Sequence, residues 1–187
     1  MIGVMDLARF PAEDLASDDV ALRRWRAGDA ELAYRLVSES AAYLRPWMPW
    51  AAAYTPGTAR DFAAACEQDW ASGAAFNYLI LHDGAPAGSA GLMTRRGPGV
   101  LEIGYWVHPE HAGQGVATAA AGALTRAAFG LPGTDRVEII HDLNNAASAQ
   151  VPRKLGYARV GTEPGRPELA PGECGTVAVW RITRPAA

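Results

Sequence analysis

Val100-Leu-Glu-Ile-Gly-Tyr-Trp-Val107, then His108-Pro-Glu-His-Ala-Gly113-Gln-Gly115, then Val116-Ala-Thr118 and an alanine-rich run to Phe129: this stretch decides the fold. Residues 100–107 alternate and are rich in apolar and aromatic types, which reads as a strand. Residues 115–129 read as a helix, ended by Leu131-Pro-Gly133. Between them lies a glycine turn. The first N–H groups of a helix have no intrahelical partner, and the helix dipole adds positive charge there. Such an end accepts phosphate. Gly113 and Gly115 permit backbone shapes that a Cβ obstructs. A P-loop would need Lys after its second glycine, and Val116 stands there. A dinucleotide fold would place the turn at the front of repeated β-α-β units, but it lies mid-chain. A glycine-rich connection without a ligand is the plain alternative. Ala117, Ala119, Ala120, Ala121, Ala123, Ala127 and Ala128 make the helix slim, so it can lie close to a sheet.

Upstream, residues 76–81 and 87–93 read as strands joined at His82-Asp-Gly-Ala-Pro86, where Asp-Gly is a hairpin signal. Val20–Arg26 reads as the first strand, and residues 1–19 as an irregular lead-in. Asp29 is expected to cap a helix through about Ser38, and Thr58 one through about Ser72. Leu44-Arg-Pro-Trp-Met-Pro-Trp50 breaks regular structure between them. Downstream, 136–140, 157–161 and 175–182 read as strands. Residues 145–155 read as a short helix stopped by Gly156. The order implies a mixed α/β sheet of about seven strands with about four helices on its faces. It implies one domain over 1–187, with its core at about 20–183.

Composition narrows the function. The 187 residues suit one domain and are 49% apolar with net charge −3. A mildly acidic chain has no general attraction to nucleic acid. No stretch approaches the roughly 20 apolar residues of a membrane span, and residues 1–10 lack a signal-peptide core. The expected location is cytoplasmic. Cys66 and Cys174 lack metal or disulfide spacing, and His108, His111 and His141 lack metal spacing. No metal is expected. Monomer and homodimer both stay open.

A second constellation follows about thirty residues on: His141-Asp-Leu-Asn-Asn145-Ala-Ala-Ser148, then Lys154-Leu-Gly-Tyr157. Taken with Glu102-Ile-Gly-Tyr-Trp-Val-His-Pro-Glu, the Gly-Gln-Gly-Val-Ala-Thr turn and Leu44–Trp50, it resembles the RimJ/RimL-type branch of the GNAT superfamily of acyl-CoA-dependent N-acyltransferases, over roughly residues 20–183. The resemblance implies a mostly antiparallel, splayed sheet with coenzyme A in the gap between two strands. It places pyrophosphate on the backbone of Gly113, Gln114, Gly115, Val116, Ala117 and Thr118. It places the pantetheine amides on strand backbone near Trp106 and Val107, as an added strand would lie. Asn145 would bond the pantetheine arm, and Ser148 would face the sulfur. Ala112 stands where the family usually has Gln or Arg, and Gln114 where it has Lys or Arg, which leaves the pyrophosphate held mainly by backbone.

The implied co-substrate is acetyl-CoA by default, and the acceptor a small-molecule or peptide amine. A non-catalytic acyl-CoA-binding module and a transferase of another acyl group, such as succinyl, are the alternatives. Attack on the thioester needs a neutral amine, hence a base. Glu102 is the candidate, projecting from the face opposite Ile103 and Tyr105; its other reading is an ordinary solvent-facing strand carboxylate. Backbone N–H near Val107 would hold the oxyanion, and Ser148 would donate to the leaving thiolate. Trp47 and Trp50 are read as packing or as a wall of the acceptor cleft. Pro152 has no N–H, so the carbonyl of Ser148 loses its i+4 partner and the helix should bend. That bend either shapes the groove near the thioester or is a harmless kink.

Overall fold

A computed structural model describes residues 10–184. The chain runs β1 (Asp14–Ser17), β2 (Val20–Arg24), α1 (Ala30–Leu44), α2 (Pro56–Ser72), β3 (Ala75–His82), β4 (Ala85–Met93), β5 (Val100–Val107), α3 (Val116–Gly130), β6 (Arg136–Asp142), α4 (Ala146–Lys154), β7 (Ala158–Pro164) and β8 (Thr176–Thr183). The strands form one sheet in the order β1-β2-β3-β4-β5-β6-β8-β7. Among the described strands only β5 and β6 pair in parallel.

Eight strands replace the expected seven or so, because the lead-in is not irregular throughout. Asp14–Ser17 pairs antiparallel with Val20–Arg24, turning through Asp18 at φ 54°. Four residues are too few for a periodicity to announce. Residues 1–9 lie outside the described residues.

Two caps also shift. Asp29 gives no side-chain cap to α1, because its carboxylate is taken by the Arg23 guanidinium at 2.9 and 3.0 Å and by the Arg26 N–H at 2.8 Å. Helix α1 runs past Ser38 to Leu44, since Ser40 and Leu44 continue its buried stripe. Thr55 rather than Thr58 caps α2, its hydroxyl accepting from the Thr58 N–H at 3.1 Å. The Asp83-Gly84 turn forms as read, with φ 51° and 78°, the paired positive values that a two-residue hairpin of this twist requires.

Helix α3 covers one face of the sheet. Its Ala120, Ala121 and Leu124 are fully buried against Leu92, Ile103, Val137 and Ile139, and the alanines allow that close approach. Helices α1 and α2 pack on the other face, where Ala33, Leu36, Ala59 and Cys66 enclose Trp25 and Leu79.

The feature that positions a site is the junction of β5 and β6. The two strands pair from Val100↔Arg136 to Ile103↔Ile139 and no further. Beyond that, β5 stays with β4 as far as Val107, while β6 stays with β8 as far as Asp142. The sheet therefore opens between Gly104–Val107 and Ile140–Asp142.

Candidate active site

The opening is a cleft of about 580 Å³. Tyr105, Trp106 and Val107 of β5 form one wall. Asn145, Ser148, Val151 and Lys154, at and along α4, form the other. Gly113, Gly115, Val116, Ala117 and Thr118 close one end, and Tyr43, Leu44, Trp47 and Met48 the opposite side.

At the glycine turn, Gly115 caps α3 with φ 88°, and Gly113 has φ 77°. A Cβ at either would meet no protein atom within 4 Å. The glycines are therefore required by backbone conformation, which L-residues adopt only with strain, and the space before them is open. Gln114 does not line the cleft: its amide donates to the Glu110 carbonyl at 2.6 Å, which turns the side chain back on its own loop. His111, singled out in the sequence only for lacking metal spacing, does line the cleft. Its Nδ1 lies 2.9 Å from Nδ1 of His82, whose Nε2 is 3.3 Å from Asp19. Burial and the neighbouring His82 and His108 hold its pKa below the usual histidine value. No spacing rule could have found it, because His82 arrives from the β3–β4 hairpin. Lys154, the chain's single lysine, also lines the cleft.

The start of α4 is held in three ways. Asp142 accepts from the N–H of Asn144 at 2.9 Å, Cys174 at 3.0 Å and Gly175 at 3.1 Å. It thereby ties the β6–α4 turn to the β7–β8 loop. Burial pushes the Asp142 carboxyl up, but these N–H groups outweigh it and hold the group below its ordinary value. The Asn145 side chain caps α4 by accepting from the Ser148 N–H at 3.0 Å, which leaves its amide nitrogen for other partners. The phenol of Tyr105 donates to the Ser148 carbonyl at 3.1 Å and lies 3.1 Å from Ser148 Oγ. Tyr105, absent from the sequence-based candidates, thus lines the cleft and joins its two walls. Burial pushes it up to about 12, and the contact with Ser148 opposes that only in part. Tyr157 is buried and packs, its hydroxyl 2.7 Å from Thr125 Oγ1. Despite Pro152, residues 146–154 remain helical.

Glu102 stands elsewhere. It is 5% exposed, on the paired half of β5, and is not among the residues lining the cleft. Both its carboxylate oxygens are engaged by Arg95, one by Nε at 3.1 Å and the other by Nη2. Across the sheet from it, Glu138 is held by Arg96 and Arg181 at 3.0 and 2.9 Å. This placement lends no support to the expected role of Glu102 as general base and acceptor contact: both oxygens face a guanidinium, outside the residues that line the cleft. Its predicted strand face does hold, because Ile103 packs beneath α3. Trp47 lines the cleft, but Trp50 does not. It is 41% exposed and rests on Tyr54 and on Trp106 at ring separations of 5.7 and 6.5 Å, one layer behind the wall. The Trp47 side is closed by the β7–β8 loop, where Gly172 N–H donates to the Pro46 carbonyl at 2.8 Å. Arg166 bonds the Trp47 carbonyl at 2.9 Å.

Among the described residues no group of histidine, cysteine or carboxylate side chains could hold a metal. No described helix is long and apolar enough to cross a membrane.

A strand-turn-helix with its glycines at the mouth of a splayed β5–β6 pair defines an acyl-CoA transferase fold, and comparison with known proteins agrees. Residues 19–158 match the family described as "Acetyltransferase (GNAT) domain". The chain belongs to that family: it is an acetyltransferase that moves acetyl from acetyl-CoA to an amine. It is similar to Bacillus subtilis (strain 168) YdaF, whose name proposes a ribosomal N-acetyltransferase. The identity is 28% over 154 residues, 78% of this chain and 81% of that protein. Among solved structures, RimL, a ribosomal L7/L12 alpha-N-protein acetyltransferase in complex with coenzyme A, shares the fold with a TM-score of 0.81. It is 21% identical, with 91% of this chain and 98% of that one covered. The microcin C7 self-immunity acetyltransferase MccE, in complex with acetyl-CoA and AMP, also gives 0.81, at 19% identity over 90% of this chain and 94% of that one.

Proposed function

We propose that the acceptor is the α-amine of a peptide or protein. The observation that carries this is the charge inventory of the cleft. Its chargeable side chains among the described residues are His111 and Lys154, and no carboxylate lines it. An α-amine has a pKa of about 7.7–8.0 and is substantially neutral near pH 7.5, whereas a lysine amine near 10.4 needs a strong base. A cleft without a carboxylate suits the first. It also offers nothing to hold a polycation. The protein named for α-N-acetylation, RimL, has this fold.

In this reading, pyrophosphate rests on the N–H groups of Gly113 to Thr118. The pantetheine amides follow β5 near Trp106 and Val107, where β6 has left the strand edge free, and meet the Asn145 amide. The amine approaches from the Tyr43, Trp47 and Met48 side and attacks the acetyl carbonyl. Its oxyanion is held by backbone N–H near Val107, and the C–S bond then breaks. The thiolate departs with a hydrogen bond from Ser148, and the amine's surplus proton passes to water. Alignment of two bound substrates supplies much of the rate.

The test is thiol release from acetyl-CoA with three acceptors: a free-N-terminus peptide without lysine, the same peptide N-blocked with one lysine, and an aminoacyl nucleotide of the kind an AMP-binding relative suggests. Turnover on the first alone is expected. Turnover confined to the second or third would overturn the α-amine assignment.

A further inference from the structure

We propose that Tyr105 is a positioning residue for Ser148, and that Pro152 is what commits it to that task. This rests on the reading that the CoA sulfur lies at Ser148.

The argument begins with one missing proton. In an α-helix the carbonyl of residue 148 is served by the N–H of residue 152. Residue 152 is proline and has none. The carbonyl is part-buried at the cleft wall, and a polar group taken out of water without a partner is costly, so another donor is favoured. The phenol of Tyr105 supplies it, at 3.1 Å. Ser148 Oγ lies at the same distance from that phenol, so the single phenolic proton has two candidate acceptors. The choice is decided by chemistry. A carbonyl can only accept, whereas a serine hydroxyl can donate. Giving the proton to Oγ would orphan the carbonyl. Giving it to the carbonyl satisfies both, because the Tyr105 oxygen then accepts from Ser148 Oγ.

The consequence is directional. Ser148 is fixed at its N–H by Asn145, at its carbonyl by Tyr105, and at its hydroxyl by the Tyr105 oxygen. Its proton is therefore held as a donor inside the cleft, away from helix carbonyls that serine often bonds instead. A developing thiolate is a stronger acceptor than a phenol oxygen, because its bond is charge-assisted. The proton turns to the sulfur with little reorganisation. No proton transfer is implied: the thiolate leaves hydrogen-bonded, and Tyr105 keeps its own proton on the Ser148 carbonyl. Without Pro152 the carbonyl would have a helical N–H, and the Tyr105 proton would be free to compete for Oγ.

The experiment needs no acceptor amine. Affinities for CoA and for desulfo-CoA are measured calorimetrically at a series of pH values up to 9.5, so that the thiolate share of CoA rises through the series, on the wild type and on Ser148→Ala, Tyr105→Phe and the double variant. The ratio of the two affinities reports the sulfur contact alone. The wild type should favour CoA by roughly tenfold, the worth of one charge-assisted hydrogen bond. Ser148→Ala should bring the ratio to about one. Tyr105→Phe should lower it to about twofold or less with desulfo-CoA affinity little changed, and should do nothing further in the Ser148→Ala protein. A Tyr105→Phe protein that keeps the wild-type ratio, or that weakens both ligands equally, overturns the positioning role. If Ser148→Ala keeps the full ratio, the sulfur lies elsewhere and the proposal falls with that reading. If wild type binds neither ligand, the CoA site itself is misplaced. Thermal unfolding tests the Pro152 clause separately. Tyr105→Phe should lower Tm less in a Pro152→Ala background than in wild type, and an equal loss in both overturns that clause.

Discussion

The lower and upper halves of the β5–β6 junction begin from the same two strands and end as opposites. From Val100 to Ile103 the strands are paired, and the polar groups on their face are sealed: Glu102 by Arg95, and Glu138, 1% exposed, by Arg96 and Arg181. From Gly104 to Val107 the pairing stops, and the polar groups point into a cleft: Tyr105, Ser148 and Asn145. Where strands pair and neighbouring guanidiniums are within reach, a buried carboxylate is neutralised and becomes structural, since an unpaired buried charge is costly. Where they part, unspent backbone and hydroxyl groups become available to a ligand. Only two residues separate Glu102 from Tyr105, but the opposite face of β5 and the parting of β6 give them different work.

The sharpest break of that contrast is Gly115→Val. A β-branched residue at φ 88° is strained, and its side chain would enter the open space where phosphate is proposed to lie. CoA binding should drop below detection while the circular dichroism spectrum is kept, because no protein atom opposes the new Cβ. Retained CoA affinity would move the phosphates elsewhere.

A second test probes the strand that turns away. His141 Nε2 accepts from the Trp180 indole N–H at 2.9 Å, so Nδ1 carries the ring proton toward the Asp142 carbonyl at 2.8 Å. The ring must stay neutral, and burial holds its pKa below the ordinary 6.5. The folded state therefore binds fewer protons than the unfolded one below that value, and stability falls as pH falls. The slope reaches at most about 1.4 kcal/mol per pH unit for one proton. His111 has the same sign. Urea midpoints from pH 8 to 5 should be flat above about 6.5 and decline below it, with a shallower decline in Trp180→Phe. An undiminished slope in that variant would clear His141 of the effect.

Glu102→Gln tests the sealed half directly. The substitution removes the buried charge, and the Arg95 left behind, 65% exposed at the side chain, stays solvated. The expected kcat/KM is within about threefold of wild type, against the hundredfold or greater loss that removing a general base brings. A loss of that larger size would return Glu102 to the chemistry. The smallest effect belongs to Gln114→Ala. With its amide on the Glu110 carbonyl, CoA affinity should change by about twofold or less, the scale of an exposed hydrogen bond. A tenfold loss would mean the side chain turns to the phosphate.

The glycine turn, the slim helix and the orphaned Ser148 carbonyl were legible because each is a local rule: a backbone conformation, a propensity, a missing N–H. So were most elements, although the four-residue β1 and the Thr55 cap were not. The resemblance added the idea that two strands separate. The pairing of Glu102 was not legible, because its partner, Arg95, comes from a loop whose path depends on the fold. His111 and Tyr105 were overlooked for the same reason: His82 and Ser148, the groups that give them meaning, lie 29 and 43 residues away.

The sequence by itself determined which backbone could cradle an anion and which carbonyl would lack a helical donor, because glycine and proline act through their own dihedrals and their own missing atoms. Tertiary structure alone decided which carboxylate is neutralised and which hydroxyl reaches the cleft, because charge pairing and hydrogen bonding depend on distances of about 3 Å between groups the chain order keeps far apart.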